Sequence, residues 1–363
     1  MSIKSFKKIS LIALFVLMLT FSVSLFTGFC QEIPDGNIGE LKGWTQIGEF
    51  KKEPPYVIGC SQHYTTNDYV ILLKEQFIQE VERFKKAGLI KDYYFIDAEA
   101  KISKQISDIE DLVAKGCDAI VIAPMSKTAL IPVIDKVHKM GIPTFFYQAD
   151  FGGENYGGIR LSDDRAFGRI GAEWLVEQMN GKGNLLVLRG IPGVGADTYR
   201  WTEGAEPVFK QYPDIKIVGM ARGDWAYDKG RAASASIIAA NKKIDGIFTV
   251  GGQMTMAAVE ELKKAGRPLV PAFGEDYNGL FRIWKEWEFP CLCSCKLLSE
   301  PSLCVQAAIN VLQGIPIPKR LIMPAPMFTL ENRDKFIRPD MPDQIWVSNS
   351  LNDEVLKKVY RVK

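Results

Sequence analysis

The sequence predicts an α/β protein of two doubly wound parallel-sheet lobes. Three observations carry this. From Tyr56 onward short apolar runs alternate with longer amphipathic ones, and glycines follow the helical runs at Gly88, Gly116, Gly141 and Gly266. The alternation then begins afresh after the glycine-rich stretch Gly152, Gly153, Gly157, Gly158. The 363 residues suit two domains of ~100–200 residues each. A composition of 47% hydrophobic and 24% charged residues is that of a globular chain.

In the first lobe the spacing predicts strands at 56–61, 93–96, 119–123 and 144–147, separated by helices at 66–87, 103–115 and 127–140. Leu72, Leu73, Phe77, Val81 and Phe84 mark the buried stripe of the first helix. Repeated strand–helix steps of this length imply parallel strands with right-handed crossovers. The second lobe is predicted from helices at 163–179, 198–211, 227–240 and 254–265 and strands at 185–189, 215–220, 244–250 and 269–273. The tail holds a strand at 291–295, a helix at 301–312 and a proline-rich segment at 316–326, too few elements for a third domain.

The N-terminus has the layout of a secretory signal: Lys4, Lys7 and Lys8 precede a run from 9 to 26 in which only Ser10, Thr20, Ser22 and Ser24 are polar. An uncleaved anchor is the alternative, and Cys30 adds a third, a lipoprotein signal, although Phe29 stands where a small residue is expected. Each alternative places the mature chain outside the cytoplasmic membrane. Without the first 30 residues the chain carries 42 basic and 43 acidic side chains, a balance that argues against a nucleic-acid-binding surface.

Seven cysteines occur, and Cys291, Cys293 and Cys295 alternate. On one face of a strand such neighbours stand ~6.6 Å apart, which suits a disulfide poorly. Zinc-type pairing is missing, so they read as small buried core residues. Only His63 and His138 could serve histidine chemistry, and no nucleophile elbow, phosphate-binding loop or zinc-helix motif is present. No catalytic residue, cofactor or metal is therefore expected.

In a doubly wound lobe ligands lie beyond the carboxyl ends of the strands. Those ends supply His63, Tyr64, Asn67, Tyr69, Gln148 and Asp150 in the first lobe, and Arg200, Trp225, Gln253 and Glu275 in the second. Amides, carboxylates, an arginine and aromatic faces suit a polyhydroxylated neutral ligand, because rings pack on its C–H faces while polar groups pair with its hydroxyls. Structural alternatives stand beside these assignments: Asn67 and Asp163 as helix caps, Tyr69 and Trp225 as core or rim aromatics, Arg200 as a surface helix residue, His63 and Tyr64 as loop residues, Asp276 as a turn residue.

The chain resembles the type I periplasmic binding proteins of ribose-type ABC importers across 56–318. The residues that carry the likeness are Ile142-Pro143 before a strand, Gly190-Ile-Pro-Gly193 leading to Arg200, Gly223-Asp-Trp225 leading to Lys229-Gly230, Asp245-Gly-Ile-Phe248 before Met254, and Phe273-Gly-Glu275-Asp276 before Asn278-Gly279. It departs from the family at Gly251 and Gly252 in place of an amide or acid, at Gln148-Ala149 in place of Asp-Arg, and at Lys296-Leu297 near an expected glutamine, so ribose itself is not implied.

The resemblance implies lobes joined by a hinge, with connections crossing near 152–158, 291–296 and 324–328. It divides the chain into a signal at 1–30, a linker at 31–53, an N-terminal lobe at 54–155 completed by 296–325, and a C-terminal lobe at 156–295 completed by 326–363. It implies a monomeric substrate-binding component that captures a monosaccharide or polyol by closing, then docks on an ABC permease with its ATPase. Tyr69 and Trp225 would stack on the ligand, and Arg200, Gln148, Asp150, Gln253 and Glu275 would pair with its hydroxyls. An extracytoplasmic receptor for a chemotaxis or sensor-kinase system is the alternative. A repressor of the same core fold would need a helix-turn-helix where this chain has its apolar export segment.

Overall fold

The computed structural model describes residues 42–362 apart from 47, 66 and 193, so the expected signal at 1–30 lies outside the described residues. The chain opens with β1 (Lys42–Trp44), β2 (Tyr56–Gln62), α1 (Asp68–Lys86), β3 (Ile90–Asp97), α2 (Ile102–Ala114), β4 (Ala119–Ile122), α3 (Ile131–Lys139), β5 (Thr144–Phe146) and β6 (Gly158–Ser162). There follow α4 (Asp164–Gln178), β7 (Gly183–Arg189), α5 (Gly195–Asp197), a π-helical stretch (Thr198–Ala205), α6 (Glu206–Phe209), β8 (Ile215–Arg222), α7 (Tyr227–Ala240), β9 (Gly246–Thr249), α8 (Gly252–Lys264), β10 (Ala272–Glu275) and α9 (Asn278–Trp287). The tail contributes β11 (Cys291–Ser294), α10 (Glu300–Leu312), β12 (Pro318–Met323), β13 (Met327–Phe328) and α11 (Asp353–Tyr360).

Two sheets result. The first has the order β1-β12-β6-β5-β4-β2-β3, parallel except for the edge pair β1–β12. The second runs β13-β11-β10-β9-β7-β8, parallel except for β13 on β11. Strand β2 is buried at all seven positions, as a central parallel strand covered by helices on both faces must be. Helices α1, α2, α3 and α8 are each followed by a glycine at φ between +67° and +75° (Gly88, Gly116, Gly141, Gly266), a left-handed turn that only glycine enters without strain.

Two boundaries differ from the sequence reading. Strand β6, assigned to the second lobe by a break at 155/156, pairs with β5 and β12 in the first sheet. The chain therefore changes lobes at Ser162–Asp164, after β6, and not at 152–158; α4 then packs on β9, β10 and β11. The expected linker at 31–53 contributes β1, because Lys42 and Trp44 pair with Arg320 and Pro318 at the sheet edge. The other two crossings follow β11 and β12: α10 packs on β4, β5, β6 and α1, and β13 returns to β11.

The six described cysteines are buried and free. The Cys291 and Cys293 sulfurs lie 3.8 Å apart, nearer than ideal strand spacing suggests because the two thiols lean together on one face.

Candidate functional site

Strand tips of both sheets meet around a buried chain of charges. Arg200 sits in the π-helical stretch, where the widened turn and Gly168 of α4 bring its backbone against that helix. Its guanidinium is 2% exposed. Nε donates to Asp164 Oδ1, Nη1 to Val250 O and Nη2 to Glu275 Oε1, each at 2.7 Å. Phe167 stacks beneath it at 4.1 Å. Lys296, 4% exposed, continues the chain. Its Nζ donates to Asp164 Oδ2 at 2.8 Å and, across the lobe junction, to Gln148 O at 2.9 Å.

The first lobe answers from the other side. Gln148 adopts φ +68°, a left-handed conformation that a non-glycine residue holds only under constraint. Its N–H donates to Glu300 Oε2 at 2.8 Å, and Glu300 Oε1 accepts from Ser162 N and Oγ at 2.7 and 2.9 Å. Tyr69 accepts from Gln148 Nε2 at 3.4 Å and donates to Lys296 O at 3.3 Å. His63 and Tyr64 stack on each other at 4.2 Å.

Trp225 forms an aromatic wall on the second lobe. Its Nε1 donates to Val250 O at 2.9 Å, so the indole and the Arg200 guanidinium share one carbonyl. The ring lies across two glycines: a Cβ on Gly190 would stand 2.3 Å from Trp225 Cη2, and one on Gly251 2.6 Å from Cδ1. This accounts for glycine at 251, where the family pattern has a polar side chain, since the indole fills that space. Gly252 is fixed separately, by the Glu275 carbonyl 2.4 Å from where its Cβ would be. Asp224 and Trp225 both hold φ just above +50°, which turns the indole inward at the tip of β8. Gln253, 8% exposed, ties down the Trp225 carbonyl through Nε2 at 2.7 Å, while its Oε1 and Asp224 Oδ1 are buried without a protein partner.

Electrostatics follow from this packing. Burial pushes the Asp164 carboxyl up, but Lys296 and Arg200 outweigh it and hold Asp164 below the usual carboxylate range. Burial dominates at Glu275 and Glu300, which titrate above their ordinary values despite Arg200 and Lys296 respectively. Lys296 is raised, its desolvation overcome by Asp164 and Glu300. Burial, then Lys296, pushes His63 down to about 4. Both cations are thus matched by carboxylates of the protein itself.

Of the ten residues singled out from the sequence, Tyr69, Gln148, Arg200, Trp225, Gln253 and Glu275 form one bonded cluster, with His63 in the field of Lys296. Tyr64 reaches it through His63, by their ring contact and by its N–H, which donates to His63 Nδ1 at 3.0 Å. Asn67 is spent as the cap of α1, Oδ1 accepting from Val70 N at 3.1 Å, and Asp163 caps α4 likewise. Asp150 turns away to Arg320 at 2.6 Å and Lys127 at 3.4 Å. It lines, with Ser162, Asp164, Tyr199 and Lys296, a cavity of about 280 Å³ at the lobe junction. Sequence reasoning missed Asp164, Lys296 and Glu300 as members of the cluster. Among the described residues no group of metal-ligating side chains gathers, and no helix is long and apolar enough to cross a membrane.

Comparison with known proteins agrees with this architecture. The chain is 29% identical over 197 residues to the xylitol-binding protein of Mycolicibacterium smegmatis, a match covering 54% of this chain and 56% of that one, so it spans about half the length of that relative. It is 23% identical over 313 residues to the ribose import binding protein RbsB of Bacillus subtilis, covering 86% of this chain and 97% of the relative. Among solved structures, an ABC transporter periplasmic solute binding protein from Actinobacillus succinogenes with bound D-allose superposes with a TM-score of 0.68 at 24% identity, over 77% of this chain and all of that one. The family described as "Periplasmic binding protein domain" matches residues 58–281, and the chain belongs to that family.

Proposed function

We propose that the chain is the substrate-binding component of an ABC-type sugar importer, exported from the cytoplasm, which captures a monosaccharide or related polyol between its lobes and delivers it to a membrane permease. The observation that carries this is the charge balance of the cleft combined with its unspent acceptors. Arg200 and Lys296 are already paired with Asp164 and Glu275, so the site offers no bare cation to an anionic ligand. Gln253 Oε1 and Asp224 Oδ1 sit buried and unpaired beside the Trp225 ring. Such groups cost ~1–3 kcal/mol until a donor reaches them. A ring with hydroxyl donors on its rim and C–H groups on its face meets both needs. The names of the xylitol-, ribose- and D-allose-binding relatives support the same class of ligand.

Binding would act through closure. A ligand bridging Trp225 and Arg200 on one lobe and Gln148 and Tyr69 on the other favours the closed form by its differential affinity for it.

A thermal-shift screen over monosaccharides and polyols tests the proposal, since a ligand at 100 times its Kd adds ~2.7 kcal/mol of stability. One or a few related compounds should raise the melting temperature, and Trp225→Ala should weaken binding about tenfold or more, its unliganded melt serving as the check of folding. No stabilisation by any of them, with no calorimetric heat at millimolar concentration, would overturn it.

A further inference from the structure

Beyond Phe328 the chain runs back over both lobes. On the second lobe it is held by the turn after β10. Asn278 N donates to Ile345 O at 2.9 Å, Val347 N to Asp276 O at 3.2 Å, and Ser348 N to Asp276 Oδ2 at 2.7 Å. Asn278 Nδ2 also reaches the carbonyls of Arg338 and Pro342 at 2.9 and 3.0 Å. Asp276 and Asn278 are buried, so this anchorage is a closed network of main-chain groups and two buried side chains.

Within a few residues the partner changes to the first lobe. Ser350 Oγ donates to Gln76 Oε1 at 2.9 Å, and Gln79 Nε2 donates to Ser350 O at 3.0 Å. Gln79 Oε1 in turn accepts from Asn352 N and Nδ2 at 3.0 and 3.2 Å. Both glutamines belong to α1. Between the two anchorages Trp346, 3% exposed, stands edge-to-face with Tyr69 of the first lobe at 5.3 Å and with Tyr277 of the second at 5.4 Å.

Lobes joined by crossing segments can swing apart only where contacts away from those segments give way. Here the contacts on the second lobe centre on the buried residues Asp276 and Asn278, whereas those of Gln79 are few and solvent-exposed. We propose that residues 341–352 form an interlobe strap that holds the ligand-free protein toward its closed form, with the Gln79 contacts as its release point. The strap stays on the second lobe when the first swings away, and the Trp346–Tyr69 contact separates with it. This rests on a hinge between the lobes and not on the identity of any ligand.

Small-angle X-ray scattering of the full, ligand-free chain tests the proposal, with circular-dichroism melts as the check of folding. Gln79→Ala removes three hydrogen bonds at a half-exposed position, and should raise the opening constant on the order of tenfold, read as a larger radius of gyration and a greater open fraction. Trp346→Ala should shift scattering the same way. The strap is overturned if folded Gln79→Ala scatters as the wild type does, whether or not Trp346→Ala folds, or if the wild type is already open without ligand. No sugar enters the measurement, so its failure and a failed sugar screen are separate results.

Discussion

Gly168 of α4 packs against the main chain of Arg200 so closely that a Cβ there would stand 1.7 Å from the Arg200 carbonyl oxygen. Gly204, one helical turn on, meets α4 in the same way, with its Cβ position 2.7 Å from Arg165 O. Because the obstructing atoms are backbone, the helices must part to admit a methyl group, and Arg200 moves with them. Gly168→Ala should therefore destabilise the fold by about 1–3 kcal/mol and loosen the grip of Arg200 on Val250 O and Glu275. Urea melts and calorimetry with the sugar found by screening check this. An unchanged midpoint and affinity would mean that Arg200 is not positioned by this contact.

The parts legible in the sequence were those set by local periodicity. Central strands such as β2 are continuous apolar runs, helices α1 and α8 are bounded by glycines that must turn left-handed, and strand tips follow from the alternation. Long-range pairing was not legible. Strand β6 looked like part of a glycine-rich connection because it is five residues long and carries Arg160, whose guanidinium is absorbed by the carbonyls of Ile159 and Pro318. Asp150 sits at a tip as expected, yet its partner Arg320 lies 170 positions away and draws it out of the cluster. Asp164 beside a helix cap, and Lys296 after a cysteine strand, look in sequence like surface charges. Only the fold shows that they bury each other.

That mutual burial makes Asp164 the hinge of a second prediction. Breaking a buried pair by removing one partner costs about 3–5 kcal/mol, because the other charge is left uncompensated. Asp164→Asn strands both Lys296 and Arg200 on one side and should lose stability on that order at pH 7. The folded-state carboxyl titrates below its ordinary value, so the contribution is present above the unfolded value near 4 and is lost as the pH falls below it. Urea melts of wild type and Asp164→Asn at pH 7 and again near pH 3 should show the gap closing in acid. A gap of equal size at both would assign the loss to packing and not to charge.

His63 reports the same cluster from the first lobe. Burial and then the charge of Lys296 push its imidazole down to about 4, with Asp97 opposing. A base whose folded value is depressed binds more protons when unfolded, so its contribution is complete above the unfolded value near 6.5 and falls away as the pH drops toward 4. Near pH 7 folded His63 is uncharged, and closure at that pH should not depend on its titration. Lys296→Met removes the nearby positive charge while keeping most of the side-chain volume. The His63 imidazole should then titrate higher, yet still below 6.5 because burial remains the larger cause. With only one other histidine in the chain, His138, NMR titration of the imidazole protons resolves the two. No upward movement of the His63 resonance midpoint in Lys296→Met would show that the ammonium is too well neutralised by Asp164 to be felt across the cleft.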